Sequence, residues 1–196
     1  MSTLVLLRHG QSEWNLENRF TGFKDVELSP KGIEEAKAAG RILKEKGFKF
    51  DAIFTSVLKR AINTTELALK ETVPLNDGVQ VQRFAELNER DYGDLTGLNK
   101  EETRLKYGDE QFKIWRRGYD TPPPGGESLK DVVENRVRPW YAANLKELLK
   151  GDKTILIAAH GNSLRALLIV LGLRTPENIN ETELATGEPM IFEIQG

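Results

Sequence analysis

The chain has 196 residues, with 28 lysines and arginines against 30 aspartates and glutamates, so its formal net charge is −2. This near balance argues against a surface made for nucleic acid or an anionic membrane, and any positive site must be local. Cysteine is absent, which excludes disulfides, thiolate zinc sites and cysteine nucleophiles. The longest apolar run, residues 166–171, is far below the roughly 18 residues of a membrane span. We expect a cytoplasmic protein with one domain over residues 1–196.

Short apolar runs alternate with helical patterns along the chain. In chain order the predicted elements are a strand over 4–7, a helix from Ser29 to about Gly47, a strand over 52–54, a helix over 57–71, a strand over 79–84, two short helices over 100–107 and 109–118, a helix from Ser128 to about Lys150, a strand over 155–159, a helix over 162–171 and a strand over 190–194. Such alternation predicts an α/β fold, a three-layer α/β/α arrangement around a mostly parallel sheet.

The two histidines of the chain occur in matching contexts. His9 and His160 each follow an apolar strand and precede a glycine, an amide residue and a serine. Ligands of parallel sheets bind beyond the carboxyl ends of the strands, so both imidazoles are expected at one crevice. The helix that follows each glycine favours an anion at its first turn. A polar loop role suits one such histidine but poorly explains both, and no ligand spacing such as His-x-x-x-His supports a metal site.

Basic residues gather near the same predicted crevice. If Ser56 is the N-cap of its helix, Arg60 falls in the first turn, where a cation costs roughly 0.3–1 kcal/mol unless an anion lies opposite. A solvated surface arginine is the alternative. Arg8 precedes His9, and Arg165 is early in the helix after His160. Arg116 and Arg117 could form a fork for carboxylate or phosphate, or could lie in a solvated turn.

Two carboxylates follow the third predicted strand, and the residues alone do not decide between them. Glu86 and Glu89 are both candidates for a proton donor, and a surface role is the default for either. Imidazoles and arginines around a helix terminus suit phosphoryl transfer, which needs an in-line nucleophile and positive charge around the transferred group. A neutral imidazole is a good phosphoryl acceptor near pH 7.

The chain resembles the histidine phosphatase superfamily. The features that it shares are Arg8-His9-Gly10, a later arginine, a glutamate before Gly93 and Gly97, and a second His-Gly. It is most similar to the 2,3-bisphosphoglycerate-dependent phosphoglycerate mutases, and the similarity covers nearly the whole chain. The segments that carry it are 8–15, 18–22, 55–61, 87–90, 97–100, 115–117 and 158–166.

The resemblance implies a set of roles for matched positions. It implies that His9 becomes the phosphohistidine, that Arg8, Arg60 and His160 stabilise the transferring phosphoryl group, and that Glu89, not Glu86, exchanges the proton. It implies that the substrate is contacted by Gly10, Gln11, Ser12, Asn15, Thr21, Gly22, Arg90, Tyr92, Lys100, Arg116, Arg117, Gly161 and Asn162. Arg165 is not in the set that the resemblance implies.

The implied reaction interconverts 3-phosphoglycerate and 2-phosphoglycerate in glycolysis and gluconeogenesis. Phosphorylated His9 would donate to the free hydroxyl, giving bound 2,3-bisphosphoglycerate, which reorients and returns its other phosphoryl group. The implied cofactor is 2,3-bisphosphoglycerate, as the priming donor, with no metal. The implied partners are small phosphoglycerates, with no nucleic acid and no membrane. The alternatives are a phosphomonoesterase of the same superfamily, a silent phospho-ligand binding domain and a metal hydrolase.

The chain departs from long members of the resembled family in two places. They have an insertion after the Arg-Arg segment, where this chain has a short Pro/Gly-rich loop over 119–127, and they have a tail beyond the last strand. The insertion can contribute to subunit contacts, so we expect a monomer or a small homo-oligomer. Because the tail can cover the site, we also expect more loss of phosphate to water than in the longer relatives.

Overall fold

A computed structural model describes all residues, 1–196. Its sheet has five strands in the order β3-β2-β4-β1-β5. The strands are β1 (Ser2–Arg8), β2 (Ala52–Thr55), β3 (Val81–Arg83), β4 (Thr154–Ala159) and β5 (Pro189–Ile194). Three of the four strand pairings are parallel, and the edge strand β5 runs antiparallel to β1. The predicted mostly parallel sheet is therefore confirmed, although the third strand is shorter than the predicted 79–84.

Eight α-helical segments and several shorter turns join the strands. The α-helices are α1 (Glu13–Leu16), α2 (Pro30–Glu45), α3 (Lys59–Glu71), α4 (Lys100–Tyr107), α5 (Asp109–Arg117), α6 (Leu129–Val132), α7 (Arg138–Trp140) and α8 (Gly161–Val170). Short 3₁₀ turns lie at Ala85–Leu87, Gly93–Leu95, Leu148–Lys150 and Ile179–Glu181. None of the helices has the length and apolar character needed to cross a membrane.

The strands divide their side chains between two cores, as the pleat requires. On one face Leu4, Leu6 and Ile157 pack in a core with the helical residues of 129–149 and 164–168. On the other face Val5 and Leu156 pack in a core with α2 and α3. Each inner strand is thus buried on both faces, which is why its sequence reads as a continuous apolar run. The three-layer prediction is confirmed.

The long helix predicted from Ser128 to about Lys150 is helical but irregular. Between α6 and α7 lies a π-helical segment, Val133–Val137, and a second, Tyr141–Leu145, follows α7. Pro139 lies within α7. It has no amide hydrogen, and its ring crowds the carbonyl one turn earlier, so a regular ladder of hydrogen bonds cannot pass through it. The wider π turns on either side accommodate this interruption.

Ser56 does not have the capping role that its position suggests. Helix α3 begins at Lys59 after Leu58, and no side chain caps it. The Ser56 hydroxyl accepts a bond from the Leu58 amide at 3.2 Å, outside the helix. The prediction of Ser56 as N-cap is therefore wrong, and the serine is free to take part in the site. Val57, the first residue of the predicted helix over 57–71, lies before α3 and is exposed.

Candidate active site

The two imidazoles meet because their strands are neighbours. Strands β1 and β4 pair in parallel with Arg8 opposite Ala159, so the residue after each strand emerges at the same edge. The His9 amide donates to the Ala159 carbonyl at 3.0 Å. The ring centroids of His9 and His160 lie 5.0 Å apart with an interplanar angle of 61°. The two histidines therefore lie together at the carboxyl edge of the sheet, as predicted, and both are buried.

His9 is held in one tautomer. Its Nδ1 lies 2.7 Å from the Gly10 carbonyl oxygen, and since a carbonyl only accepts, Nδ1 carries the proton. The lone pair is therefore on Nε2. Burial lowers the pKa of His9 well below its usual value of 6.5, and the charges of Arg60 and Arg8 lower it further. The imidazole is neutral at pH 7, the form that a nucleophile requires.

A close approach of two loops fixes the backbone beside His9. A Cβ added to Gly10 would lie 2.2 Å from the Gly32 carbonyl oxygen, so no larger residue fits there. The Gly10 amide donates to the Thr64 hydroxyl at 3.0 Å. Gly10 thus shapes the turn that directs His9, and it does not line the cleft.

His160 is fully buried and bonded to a serine. Its Nε2 lies 2.7 Å from the hydroxyl of Ser56, which is itself buried. Burial is the main reason that its pKa falls well below 6.5, followed by the charges of Arg60, His9 and Arg8. The involvement of Ser56 was missed from the sequence, because a serine before a helix resembles an N-cap.

Two arginines bring positive charge to the histidines. Arg60 is buried, and its guanidinium donates to the carbonyls of Lys24 and Gly22, each at 2.8 Å. Burial lowers its pKa to about 10, so it stays charged at neutral pH. Arg8 donates to the Leu184 carbonyl at 2.9 Å, and its buried Nε has no partner. The unpaired N–H is available to an anion.

Glu89, not Glu86, reaches the cleft. Its Oε1 accepts from the amide of Arg90 at 2.7 Å and from the amide of Asn162 at 3.2 Å. Glu86 is exposed on the 3₁₀ turn and does not line the cleft. The structure therefore separates the two carboxylates, which their residue types alone did not.

A strongly cationic cleft lies next to the histidines, and its lining includes their chain neighbours Arg8 and Gly161. Its lining contains one carboxylate, that of Glu89, against five arginines and one lysine. The lining residues are Arg8, Asn15, Arg19, Phe20, Thr21, Gly22, Glu89, Tyr92, Lys100, Arg116, Arg117, Gly161, Asn162 and Arg165. Such an excess of cations requires an anionic occupant to offset their mutual repulsion.

Eleven of the eighteen predicted site residues are in this lining. Four more, His9, Gly10, Arg60 and His160, are buried and lie outside it, and the side chains of the other three point elsewhere. Gln11 accepts from the Ser29 hydroxyl at 2.8 Å. Ser12 caps α1. Arg90 is buried, donates to the Glu127 carbonyl at 2.6 Å and also bonds to the Trp115 carbonyl. These side chains support the loops of the site from behind, and the structure does not bring them to the cleft.

Two cleft cations were absent from the predicted set. Arg19 stacks on Trp14, with the guanidinium carbon 4.0 Å from the ring centroid, and donates to the Gly97 carbonyl at 2.8 Å. Arg165 is half-buried, and its Nε has no partner. The position of Arg165 early in the helix after His160 was the available signal. Arg19 lies in the segment 18–22 that carries the family resemblance, but no role was assigned to it.

Neighbouring positive charge also affects Lys100. Burial, and after it the charges of Arg116 and Arg8, lower the pKa of Lys100 to about 8. In the same cleft lining, Asn162 donates to the Tyr92 hydroxyl at 3.1 Å.

No group of three or more His, Cys, Asp or Glu side chains is arranged to hold a metal ion. The expectation of a reaction without a metal stays a prediction.

The sequence matches a known protein family and many named relatives. Residues 4–196 match the model of the histidine phosphatase superfamily (branch 1). A protein of Nitrobacter hamburgensis named 2,3-bisphosphoglycerate-dependent phosphoglycerate mutase is 56% identical, over 97% of this chain and 91% of its own. A protein of Beijerinckia indica with the same name is 57% identical, over 98% and 91%.

Solved structures with the same fold are more distant in sequence. A mycobacterial glucosyl-3-phosphoglycerate phosphatase, in complex with VO₃, is 28% identical with a TM-score of 0.83, over 97% of this chain and 90% of its own. YhfR of Bacillus stearothermophilus is 25% identical with a TM-score of 0.81, over 100% and 93%. The chain therefore belongs to branch 1 of the histidine phosphatase superfamily and, within it, to the family of the 2,3-bisphosphoglycerate-dependent phosphoglycerate mutases.

Proposed function

We propose that this chain, as a single domain over residues 1–196, interconverts 3-phosphoglycerate and 2-phosphoglycerate through a phosphohistidine at His9. The observation that carries the proposal is the neutral His9, with its lone pair on Nε2, beside His160 and next in the chain to Arg8, which lines a cationic cleft. Relatives that are 53–57% identical over nearly the whole chain have the mutase name.

In the proposed mechanism, Nε2 of His9 attacks phosphorus and the bond to the leaving oxygen breaks. Arg8 and Arg60 place positive charge beside the transferred group, where negative charge is spread over the equatorial oxygens. His160 lies 5.0 Å from His9, measured between ring centroids, close enough to face the same phosphoryl group. The Gly10 carbonyl, bonded to Nδ1, stabilises the positive charge that develops on the His9 ring.

Glu89 is the proposed proton donor and acceptor. It is the one carboxylate in the cleft, and two backbone amides hold Oε1, which leaves Oε2 to face the substrate. When His9 takes a phosphoryl group, Glu89 gives the departing oxygen a proton. When phosphohistidine transfers its group to the substrate hydroxyl, Glu89 takes that proton back.

The cleft fits 2,3-bisphosphoglycerate, a molecule with three anionic groups. The cleft contains six cations, and the buried Nε atoms of Arg8 and Arg165 have no partner within the protein. Lys100, Arg116 and Arg117 would hold the groups remote from His9, together with Asn15, Thr21, Gly22, Tyr92, Gly161 and Asn162. When bound, this cofactor supplies the phosphoryl group that primes His9.

The alternative is a phosphomonoesterase that passes the phosphoryl group from His9 to water. A solved neighbour is named as a glucosyl-3-phosphoglycerate phosphatase, at 28% identity. The cations remote from His9 favour the mutase, because a reaction that retains its intermediate needs a tight hold on all of the anionic groups.

An assay of 3-phosphoglycerate conversion, with and without trace 2,3-bisphosphoglycerate, tests the proposal. We expect stimulation by the cofactor in the wild type and none in His9→Ala. Phosphate release that exceeds 2-phosphoglycerate formation under all conditions would instead support the phosphomonoesterase. Substantial turnover by His9→Ala would exclude His9 as nucleophile.

A further inference from the structure

Arg136 is bonded to the segment that carries Glu89. Its guanidinium donates to the carbonyl oxygens of Glu89 and Asn88, each at 3.0 Å, and to that of Glu86 at 3.1 Å, with a weaker contact to Ala85 at 3.4 Å. These carbonyls belong to the 3₁₀ turn after β3 and to the extended residues that follow it. A single side chain therefore satisfies most of the carbonyl groups of this turn.

The same guanidinium forms a bidentate pair with Glu127. Its Nε donates to one carboxylate oxygen at 2.9 Å, and its Nη2 donates to the other at 3.0 Å. The two side chains are 14% and 21% exposed, so solvent screens this pair far less than a surface pair. Both the planar fork and the number of bonds require an arginine.

Glu127 continues the network to the residues after Glu89. Its carboxylate accepts from the Asp91 amide at 2.9 Å, its amide donates to the Asp91 carbonyl at 2.8 Å, and its carbonyl accepts from Arg90 at 2.6 Å. The backbone is thus fixed immediately before and after Glu89. No side chain of this network lines the cleft, so none contacts substrate.

The position of Arg136 follows from the irregular helix. It lies in the π-helical segment Val133–Val137, ahead of Pro139. The extra residue of a π turn changes which side chains face a given direction. Val133 and Val137 of this segment are buried in the core, and Arg136 faces the Glu89 turn.

We propose that Arg136, braced by Glu127, is a positioning residue that sets the location of the Glu89 carboxylate for proton transfer. This inference rests on the proposed role of Glu89. Proton transfer in the transition state needs a donor placed within hydrogen-bond reach. A misplacement of about 1 Å lowers the reaction rate about a hundredfold. Arg136 acts on the rate through the Glu89 backbone, without contact with the reacting atoms.

The test compares two phosphoryl donors that differ in their need for a proton. Phosphoglycerate turnover requires Glu89 to give a proton to the alkoxide that leaves phosphorus and to take one from the hydroxyl that attacks it, whereas the nitrophenolate of p-nitrophenyl phosphate departs without an acid. For Arg136→Lys we expect kcat/KM to fall about ten- to a hundredfold with the phosphoglycerate and less than threefold with the aryl phosphate. Lysine keeps the charge and can pair with Glu127, but it cannot reach the four carbonyls.

A double-mutant cycle with Glu89→Gln gives a second readout. If Arg136 acts through Glu89, Arg136→Lys has almost no further effect on phosphoglycerate turnover once the Glu89 carboxyl is absent. Independent effects that multiply, or an equal loss with both donors, would overturn the proposal. Glu127→Gln should show the same dependence on leaving group, which keeps the test valid if Arg136→Lys folds poorly.

A matched control is available two residues along the chain. Arg138 is about half exposed and pairs with Glu134 at the surface, so Arg138→Lys should change neither donor's kcat/KM. Failure of the proposed function is distinguishable from failure of the inference about Arg136, because the wild type would then form no 2-phosphoglycerate. In that case the comparison of an alkyl with an aryl phosphate still measures whether Arg136 positions the acid.

Discussion

The imidazoles of His9 and His160 lie edge to face, 5.0 Å apart between ring centroids, although 151 positions separate them in the chain. The two rings have different partners, the Gly10 carbonyl for one and the Ser56 hydroxyl for the other. Their roles should therefore separate by mutation, with His9 forming the covalent bond and His160 stabilising the transferred group.

His9→Ala should abolish covalent labelling by phosphoryl-labelled 2,3-bisphosphoglycerate, and turnover should fall roughly a thousandfold or more, as for nucleophiles in other covalent enzymes. His160→Ala should still form the acid-labile phosphoramidate, but more slowly, because it loses only transition-state stabilisation. Acid-sensitive label measured after rapid quenching checks both. Label retained by His9→Ala would assign the nucleophile elsewhere.

The rate of the first half-reaction, phosphoryl transfer to His9, should not fall as the pH is lowered through the usual pKa of histidine. Burial and the charges of Arg60 and Arg8 lower the pKa of His9, so the ring stays neutral from pH 7 to well below 6.5. We expect kcat/KM for p-nitrophenyl phosphate to fall only at more acidic pH. In Arg60→Gln the maximal kcat/KM should be lower. The pH at which kcat/KM falls should also rise toward 6.5, because removal of a positive neighbour raises the pKa of His9. If that pH is unchanged in the variant, Arg60 does not act on His9.

The buried histidines should also make folding sensitive to acid. The folded-state pKa of each is lowered, so below pH 6.5 the unfolded chain binds protons that the folded chain does not. The free energy of unfolding should fall as pH decreases below 6.5, by at most about 1.4 kcal/mol per pH unit for each histidine. Urea titrations of wild type and His160→Gln between pH 7 and 5 measure this difference, and identical slopes would contradict it.

Lys100 should make substrate capture sensitive to alkaline pH. Its pKa is about 8, so its positive charge is present below that pH and is lost as the pH rises through it. We expect kcat/KM for 3-phosphoglycerate to decline between pH 7 and 9. Lys100→Arg should remove the decline, since arginine stays charged over this range. An unchanged decline in this variant would assign it to another group.

Arg165 should bind an anionic group of the substrate remote from His9. It lines the cleft with an unpartnered Nε, and burial, followed by the charge of Arg117, lowers its pKa. Arg165→Gln should raise KM for 3-phosphoglycerate about ten- to a hundredfold, the loss of one charged hydrogen bond. KM for p-nitrophenyl phosphate, which lacks a second anionic group, should change little. Arg41→Gln, an exposed arginine on α2, is the control, and equal effects on both substrates would refute the assignment.

Much of the fold was predictable because its signals are local. Strands buried on both faces appear as short apolar runs, and caps such as Ser29 mark helix starts. Ser128 also begins a helix with a capping box, as predicted. The π turns around Pro139 were missed, because the apolar stripe over 129–149 has the spacing of an ordinary helix.

The sequence by itself determined which residue types stand after each strand: two histidines in matching frames, arginines near them and two candidate glutamates. Only the tertiary structure decided which of them meet. The parallel pairing of β1 with β4 brings His9 beside His160, and packing selects Glu89 over Glu86. A loop supplies Ser56 and a helical segment supplies Arg136, both far from these residues in the chain. The physical reason is that hydrogen bonds and burial depend on neighbours far along the chain, and local periodicity contains no information about them.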